Sequence, residues 1–348
     1  MRLLVAGGAG FIGSTFVARR LAGSGDTIVV LDKLTYAGLR ENLAHLEDDP
    51  ALGPRLRFVQ GDICDAAVVA PLLAQADAVV NFAAETHVDR SITAADDFLR
   101  TGVIGVHVLL EAVREEAERR PGAPPRLVQV STDEVYGSIE SGAADEDAPL
   151  APRSPYAATK AAGDLLCAAY RVTHGVDVVV SRGANTYGPR QHPEKLVPLF
   201  ITNALDDAPL PLYGDGRQRR DWLHVDDHAD AIALLLEQGT PGGVYNVPGG
   251  DERANRDVAL AILAARGRSA DLLRSVADRP GHDRRYAMTG ERIAALGWRP
   301  RVSFSDGLAA TVDWYAANRE WWERARGPGW DDYYERQYGR RLAESTAV

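Results

Sequence analysis

Short apolar runs alternate with segments of helical spacing through the first half of the chain. Apolar residues such as Phe16, Val17 and Leu21 recur at the spacing of one helix face. Runs that lack polar alternation are typical of parallel strands covered on both sides. The pattern therefore predicts an α/β fold with a doubly wound parallel sheet. The predicted strands are Leu3 to Ala6, Thr27 to Leu31, Leu56 to Gln60, Ala78 to Phe82, Leu127 to Val130 and Val176 to Ser181.

The second half of the chain has a looser pattern, interrupted by prolines and by a Gly214-Asp215-Gly216 turn. It predicts a helix at Ala229 to Glu237, a strand at Gly243 to Val247 and a helix at Asn255 to Ala265. We interpret this half as a smaller mixed α/β lobe that covers the open end of the sheet and binds substrate. The predicted division is 1–185 and 186–330, which can interleave, followed by a tail at 331–348.

Composition narrows the possible functions. The 348 residues include 39 Lys and Arg against 49 Asp and Glu, a net charge of −10. Such a chain is a poor candidate for binding nucleic acid or an anionic membrane. Two cysteines in unrelated contexts support neither a disulfide framework nor a zinc ribbon. The first apolar run leads directly into a glycine-rich loop, which predicts a cytoplasmic protein without a signal peptide.

The segment Gly7-Gly8-Ala9-Gly10-Phe11-Ile12-Gly13 follows the first strand and opens the first helix. Glycines at 7, 10 and 13 allow a pyrophosphate to approach the free N–H groups of that helix. Asp32 ends the second strand, where a carboxylate can accept a hydrogen bond from a ribose 2′-hydroxyl and repel a 2′-phosphate. This pattern predicts a Rossmann-type domain that binds NAD, although the adjacent Lys33 leaves NADP open. Asp62, followed by Ile63, ends the third strand and can meet the adenine, or can simply form a turn.

Tyr156 and Lys160 lie four residues apart on a predicted helix, so their polar ends share one face. A nearby ammonium favours the phenolate, so we expect Lys160 to lower the pKa of Tyr156. Tyr156 could then remove a hydroxyl proton from a sugar while hydride leaves the same carbon. Thr132 or Ser131, at the end of a strand, would orient that oxygen. The adjacent Asp133 and Glu134 could serve as acid and base, or could form a solvated turn.

The motifs GGAGFIG, NFAAETHVDRSI, STDEVYGS, SPYAATK, PEKLVPLFI and DRPGHDRRY occur in this order. Together they resemble the extended short-chain dehydrogenase/reductase superfamily, and within it the dTDP-glucose 4,6-dehydratase family, from residue 1 to about residue 320. The resemblance implies that Thr132, Tyr156 and Lys160 oxidise the glucose C4 hydroxyl with NAD. It implies that Glu134 removes the C5 proton while Asp133 protonates the leaving C6 hydroxyl. Hydride then returns to C6, which gives a 4-keto-6-deoxy sugar and water.

The resemblance also assigns binding residues. Those on the NAD side, beyond the glycines of the loop, are Phe11, Ile12, Asp32, Lys33, Leu34, Thr35, Asp62, Ile63, Ala83, Ala84, Glu85, Thr101, Tyr156 and Lys160. Those on the nucleotide-sugar side are Thr86, Asp133, Asn185, Lys195, Leu196, Pro211, Tyr213, Arg220, Asn255, Arg279 and His282. Arginines can clamp a diphosphate, and Tyr213 offers a flat face for a base. Gly102, Thr186 and Thr86 depart from the family pattern, which has Asn, Asn and Ser there.

Other functions remain open on the sequence. A nucleotide-sugar epimerase or decarboxylase would use the same Tyr156 and Lys160 but usually lacks an Asp at position 133. A non-catalytic NAD-sensing protein would not need the whole catalytic set. His87, His192, His224 and His228 have unrelated neighbours, and we expect no metal. Thymidine and uridine nucleotides differ here by one methyl group, and no residue decides between them. The helices near Asp96 to Arg119 and Tyr156 to Thr173 resemble those that form a four-helix bundle, which predicts a homodimer.

Overall fold

The computed structural model describes residues 1–347. Within them, the central sheet consists of parallel strands in the spatial order β10-β6-β5-β4-β1-β2-β3. This arrangement confirms the predicted Rossmann-type doubly wound sheet. The strands of this sheet are β1 (Arg2–Ala6), β2 (Thr27–Asp32), β3 (Leu56–Gln60), β4 (Ala78–Asn81), β5 (Arg126–Thr132), β6 (Val178–Gly183) and β10 (Val244–Val247).

Helices cover both faces of the sheet and build the second lobe. The α-helices are α1 (Phe11–Gly23), α2 (Glu41–Glu47), α3 (Ala66–Leu73), α4 (Val88–Thr93), α5 (Asp96–Leu99), α6 (Val106–Arg119), α7 (Pro155–His174), α8 (Leu196–Leu205), α9 (Val225–Gln238), α10 (Asn255–Ala265), α11 (Glu291–Ala295), α12 (Phe304–Ala317), α13 (Arg319–Arg326), α14 (Trp330–Tyr334) and α15 (Arg340–Ala343). Short 3₁₀ turns lie at Gly53–Arg55, Asp133–Tyr136 and Ala270–Leu272, and π-helical turns at Arg100–Gly105 and Glu335–Gly339.

Two hydrophobic layers enclose the sheet. One layer joins its strands to α3, α6 and α7, and includes Leu110 and Cys167. The other joins them to α1, α2 and α9, and includes Phe16 and Ile232. All four of these side chains are at most 1% exposed. Because both faces are buried, the strands need no polar alternation, which is why they read as continuous apolar runs.

The second lobe contains two small sheets among the described residues. One has the order β11-β9-β7 and the other β13-β12-β8. Their strands are β7 (Asn185–Tyr187), β8 (Leu210–Tyr213), β9 (Arg219–His224), β11 (Glu252–Ala254), β12 (Leu273–Val276) and β13 (Thr346–Ala347). Between them, α9 and β10 return to the central sheet, so the lobes interleave along the chain. The domain boundaries themselves stay a prediction.

Several element ends differ from the sequence prediction, for identifiable reasons. Strand β5 continues to Thr132 because it still pairs with β6 there, opposite Gly183. Helix α9 begins at Val225, earlier than the predicted Ala229, because the Nδ1 atom of His224 accepts a hydrogen bond from the Asp226 N–H, at 3.3 Å. Both β5 and α9 therefore extend to the carboxyl edge of the central sheet, where Thr132 lies.

A buried ion pair fastens α7 to the sheet. The Arg182 Nε on β6 donates to the Asp164 Oδ2 on α7 at 2.8 Å, and both side chains are at most 6% exposed. Arg182 also donates from Nη1 to the Tyr136 hydroxyl at 2.8 Å, and that hydroxyl donates to the Asn246 Oδ1 on β10 at 2.7 Å. The network therefore joins α7, β6, β10 and the turn that carries the two adjacent acids.

Asp164→Ala should destabilise the protein strongly, because it leaves the Arg182 charge buried without its partner. We expect the free energy of unfolding to fall by about 3–5 kcal/mol. Glu323→Ala, which removes one of two carboxylates that pair with the half-exposed Arg319, is the control and should change the free energy of unfolding little. Urea unfolding followed by circular dichroism measures both. Equal effects of the two substitutions would contradict this account of the network.

Candidate active site

The glycine-rich loop forms one wall of a deep cleft at the carboxyl edge of the sheet. Gly7 has a φ of +74°, and a Cβ there would lie 2.5 Å from the Ala83 nitrogen. A Cβ at Gly13 would clash with the Gly7 carbonyl oxygen, so the backbone can fold this tightly only with glycine. Helix α1 starts at Phe11, and no side chain in residues 1–347 caps it. Its first N–H groups and positive dipole end are therefore suited to a pyrophosphate.

Asp32 holds the loop and also faces the cleft. Its Oδ2 accepts from the Ala9 N–H and its Oδ1 from the Leu34 N–H, both at 2.9 Å. Burial raises the pKa of Asp32, and the two backbone hydrogen bonds oppose that shift. Lys33 lies beside it with its Nζ 2.9 Å from the Asp62 Oδ2, so a carboxylate offsets the lysine charge. Asp32 is thus placed to accept a hydrogen bond from a ribose hydroxyl, such as those of NAD.

The cleft gathers nearly all of the residues predicted for the cofactor side. Leu34 is the exception, because it contributes its backbone N–H to Asp32 and does not line the cleft. The lining residues among the predicted set are Gly7, Gly10, Phe11, Ile12, Gly13, Asp32, Lys33, Thr35, Asp62, Ile63, Ala83, Ala84, Glu85, Thr101, Tyr156 and Lys160. The glycine cradle, the uncapped helix and the buried carboxylate fit a dinucleotide.

The same cleft contains the predicted catalytic side chains. Strand β5 delivers Thr132 to its end, and the 3₁₀ turn that follows presents Asp133 and Glu134. Helix α7 delivers Tyr156 in its first turn, because Pro155 opens the helix and the Ser154 Oγ caps it by accepting from the Ala157 N–H, at 3.1 Å. Pro at this position and Ser before it form a favourable helix start.

The net shift of the Tyr156 pKa is opposite to the one expected from Lys160 alone. The Lys160 Nζ donates to the Val130 carbonyl oxygen at 2.7 Å, and burial lowers the pKa of Lys160 to about 8. The pKa of Tyr156 is raised, first by burial and then by the charges of Glu134 and Asp133, while a hydrogen bond from Thr132 opposes the shift. The Lys160 ammonium is therefore oriented by a backbone carbonyl of strand β5.

The two adjacent acids lie in different surroundings. Asp133 is 3% exposed, its Oδ1 accepts from the Thr132 hydroxyl at 3.1 Å, and its Oδ2 has no partner in the described residues. Burial, followed by the charge of Glu134, raises the pKa of Asp133 well above its usual range. Burial also raises the pKa of Glu134, but the positive charges of Arg279 and Arg220 oppose this. The arrangement favours a protonated Asp133 beside an ionised Glu134.

A second cavity adjoins the first and shares four of its lining residues, Thr86, Glu134, Asn185 and Lys195. It is lined by nearly all of the residues predicted for the nucleotide sugar. Asp133 alone among that set lines only the first cavity. The predicted residues in the second cavity are Thr86, Asn185, Lys195, Leu196, Pro211, Tyr213, Arg220, Asn255, Arg279 and His282.

The two arginines of this cavity are fixed by hydrogen bonds to other protein groups. Arg279 donates from Nη1 to the Asp89 Oδ1 at 2.8 Å, and Arg220 donates from Nη2 to the Asp283 carbonyl oxygen at 2.9 Å. The guanidinium of Arg220 also lies 4.1 Å from the centre of the Tyr286 ring. Both arginines keep further N–H groups for an anion. Such fixed guanidinium groups suit a diphosphate.

The departures from the family pattern fit their surroundings. A Cβ at Gly102 would lie 3.0 Å from the Thr159 Cβ, so glycine lets the π-helical turn pack against α7. The Thr186 Oγ1 lies 2.8 Å from the His228 Nδ1. Burial lowers the pKa of His228 to about 4, so this cleft residue is neutral.

Sequence reasoning missed several residues of the two cavities. Asp89, Glu194 and Tyr338 line the second cavity, and His228 and Gln191 line the first. Asp89 stands in the NFAAETHVDRSI motif, which was the available signal. Tyr338 comes from a segment that was predicted only as a tail. Among residues 1–347 no group of three His, Cys, Asp or Glu is placed to hold a metal ion. No described helix is long and apolar enough to cross a membrane.

Comparison with known proteins identifies the family. The family model described as GDP-mannose 4,6 dehydratase matches residues 4–311. The chain belongs to this dehydratase family. A dTDP-glucose 4,6-dehydratase of Streptomyces niveus is 53% identical over 334 residues, covering 94% of this chain and 96% of the relative. One of Streptomyces antibioticus is 53% identical over 339 residues, covering 94% and 97%.

Solved structures of the dehydratase family agree with the fold. A crystal structure of DesIV, a dTDP-glucose 4,6-dehydratase from Streptomyces venezuelae with NAD and TYD bound, superposes with a TM-score of 0.89. It is 53% identical and covers 93% of this chain and 100% of that chain.

The reaction rate should fall as the pH rises through about 8, where burial places the pKa of Lys160. Above that pH the Lys160 ammonium loses its proton, so the positive charge beside the cofactor cleft disappears. The measurement is kcat with the nucleotide-sugar substrate from pH 6 to pH 10, with circular dichroism at each pH to show that the protein stays folded. A rate that stays constant up to pH 10 would contradict a role for the charged lysine.

Proposed function

We propose that this protein is a dTDP-glucose 4,6-dehydratase, which converts dTDP-glucose to dTDP-4-keto-6-deoxyglucose and water. The observation that carries the proposal is the convergence of Asp133, Glu134, Thr132 and Tyr156 in one cleft. That cleft has a glycine-rich dinucleotide wall on one side and an arginine-lined cavity on the other. NAD, when bound, accepts hydride from the sugar C4 and returns it to C6, so no external redox partner is consumed.

Oxidation at C4 needs a group that takes the hydroxyl proton. Tyr156 serves as this base, and Thr132 orients the same oxygen through its hydroxyl. Because burial and the two carboxylates raise the pKa of Tyr156, the phenolate needs positive charge near it at the moment of reaction. Lys160, fixed by the Val130 carbonyl, keeps an ammonium beside this part of the cleft.

Elimination of water uses the two adjacent acids in opposite protonation states. Oxidation at C4 acidifies the neighbouring C5 proton, and Glu134 removes it. Asp133 holds a proton at its unpaired Oδ2 and donates it to the departing C6 hydroxyl. Proton transfer from a positioned acid or base contributes about 10²–10⁴-fold to such a step. Glu134 then returns its proton to C5. The proton that Tyr156 took from the C4 hydroxyl replaces the one that Asp133 gave up, so all three groups are restored for the next cycle.

The second cavity binds the nucleotide part of the substrate. Arg220 and Arg279 contact the diphosphate, while Tyr213 stacks on the base. Lys195 and Glu134 line both cavities, so the hexose lies where these cavities meet. Buried Oδ1 atoms of Asn185 and Asn255 have no partner in the described residues and are available to the substrate.

A nucleotide-sugar epimerase is the second candidate, since it would use the same Tyr156 and Lys160. An epimerase needs no acid for a departing C6 hydroxyl. In an epimerase, Asp133 would have no role in the reaction. Its burial with one unpaired oxygen would then lower the stability of the fold without any gain, because burying a carboxyl without partners is unfavourable. The two closely related dehydratases also favour the dehydratase and the thymidine nucleotide.

Asp133→Asn and Glu134→Gln should each lower the rate of product formation by about 10²–10⁴-fold. Both variants keep Tyr156, so they should still oxidise C4 and accumulate NADH, whereas Tyr156→Phe should lose both steps. The assay incubates the protein with dTDP-glucose and, in parallel, UDP-glucose. Mass spectrometry detects loss of water, and base treatment of the 4-keto product gives near-ultraviolet absorbance.

Glu140→Gln is the matched control, because Glu140 is an exposed acid shortly after the same turn. It should keep the wild-type rate. A product of unchanged mass would instead identify an epimerase, and binding of NAD without any turnover would identify a sensing protein. Either result would remove the dehydratase proposal.

Two copies of the chain associate through the helices near α5, α6 and α7 into a homodimer. Large apolar side chains are exposed on this side, with Leu99 at 51%, Ile104 at 51% and Leu165 at 61%. Exposed apolar groups clustered on neighbouring helices mark an association surface. The cytoplasmic location stays a prediction from the two free cysteines.

Leu165→Arg should convert the dimer to a monomer, since it places a charge in the apolar contact. Size-exclusion chromatography with light scattering measures the mass. Glu320→Arg, on α13, is the control and should leave the dimer intact. A monomeric wild-type protein, or a dimeric Leu165→Arg variant, would overturn this assembly.

A further inference from the structure

The C-terminal segment, residues 330–343, packs into the second lobe beside the nucleotide cavity. It consists of α14, a π-helical turn and α15. Trp330 and Tyr338 are 8% and 4% exposed and belong to the hydrophobic core of that lobe. Tyr338 also lines the second cavity. The segment is therefore part of the wall of the proposed substrate site.

Gln337 connects two side chains of the cavity. Its Nε2 lies 2.7 Å from the Asp89 Oδ2 and 2.6 Å from the Tyr213 hydroxyl oxygen. An amide nitrogen has two hydrogens, so it can donate to both acceptors at once. The Tyr213 hydroxyl itself donates to the Asp89 Oδ2 at 2.8 Å. The three side chains form a closed triangle of hydrogen bonds.

Arg341 completes the environment of Tyr213. Its Nη1 donates to the Tyr213 hydroxyl oxygen at 3.0 Å, and its guanidinium lies 5.2 Å from the centre of the Tyr213 ring. The phenol then donates one hydrogen bond and accepts two, which is its full capacity. The Tyr338 ring lies 6.1 Å from the same ring. The orientation of Tyr213 is thus set largely by residues of the C-terminal segment.

The same contacts reach the diphosphate end of the cavity. Asp89 accepts from Gln337 at Oδ2 and from the Arg279 Nη1 at Oδ1, at 2.8 Å. One carboxylate therefore links the C-terminal segment to an arginine of the proposed diphosphate site. Neither Gln337 nor Arg341 lines the cleft with Tyr156 and Asp133.

We infer that residues 330–343 position Tyr213 and, through Asp89, Arg279 for the nucleotide part of the substrate. This inference rests on the proposed function, which supplies the nucleotide. Gln337 and Arg341 are positioning residues, because they act through Tyr213 and Asp89. Tyr338 is a wall of the nucleotide cavity. The segment determines substrate affinity and leaves the hydride and proton transfers to the other cavity.

The test measures nucleotide binding and turnover separately. Gln337→Ala and Arg341→Ala should each raise KM for dTDP-glucose, and Kd for thymidine 5′-diphosphate measured by calorimetry, by about tenfold, as for loss of a hydrogen bond that fixes a binding group. kcat should stay within about twofold of the wild type because the catalytic cleft is untouched. Arg341→Lys, which keeps a cation, should recover part of the affinity.

Arg340→Ala is the matched control. Arg340 precedes Arg341 in the same helix, but its side chain is 89% exposed and pairs only with Glu344 among the described residues. It should leave KM, Kd and kcat unchanged. Unchanged affinity in Gln337→Ala and Arg341→Ala, with wild-type melting temperatures, would overturn the inference. Tighter binding of thymidine 5′-diphosphate by these variants would overturn it too, because the segment would then hinder nucleotide binding. Thymidine 5′-diphosphate binding remains measurable without turnover, so failure of the proposed reaction is distinguishable from failure of this inference.

Discussion

Parallel pairing of the central sheet is the constraint on which the whole site depends. When all strands of a sheet run the same way, their carboxyl ends meet at one edge. The register places Ala6 beside Leu31 and Thr132 beside Gly183. The glycine loop that follows β1 and the acid pair that follows β5 consequently open into the same cleft. Side chains far apart in sequence need no long connection to meet there.

Burial then gives the collected groups their chemical character. The cleft excludes water from carboxyls, a phenol and an ammonium, so it raises the pKa of Asp133 and lowers that of Lys160. Neighbouring cations act more strongly on Glu134 than on Asp133, because Arg279, Arg220 and Lys195 all oppose the shift of the glutamate. Two chemically similar acids thereby become suited to different tasks. The difference between the pKa values of Asp133 and Glu134 arises from their surroundings and not from the residue type.

Arg90 links the first lobe to the C-terminal segment. Tyr333 stacks on the Arg90 guanidinium at 4.6 Å, and Tyr36 covers the same group at 3.9 Å. Tyr36 follows Thr35, which lines the first cavity, so one cation connects that loop to the C-terminal segment. The Arg90 Nε also lies 2.9 Å from the buried Glu194 Oε2. The loop at Thr35, the second cavity and the C-terminal segment therefore form one packed unit.

Local pattern and family resemblance were sufficient for the sheet, the glycine loop and the spacing of Tyr156 and Lys160, because each depends on residues close together in the chain. Apolar runs, glycine conformations and helix periodicity are local properties. Tertiary structure alone decided that Lys160 bonds to Val130, that the Asp133 side chain is buried while Glu134 is partly exposed, and that Gln337 reaches Asp89. These contacts join distant segments, and their energies depend on burial, which sequence neighbours do not encode. The sequence thus determined which groups are available, and packing decided which of them meet and in what charge state.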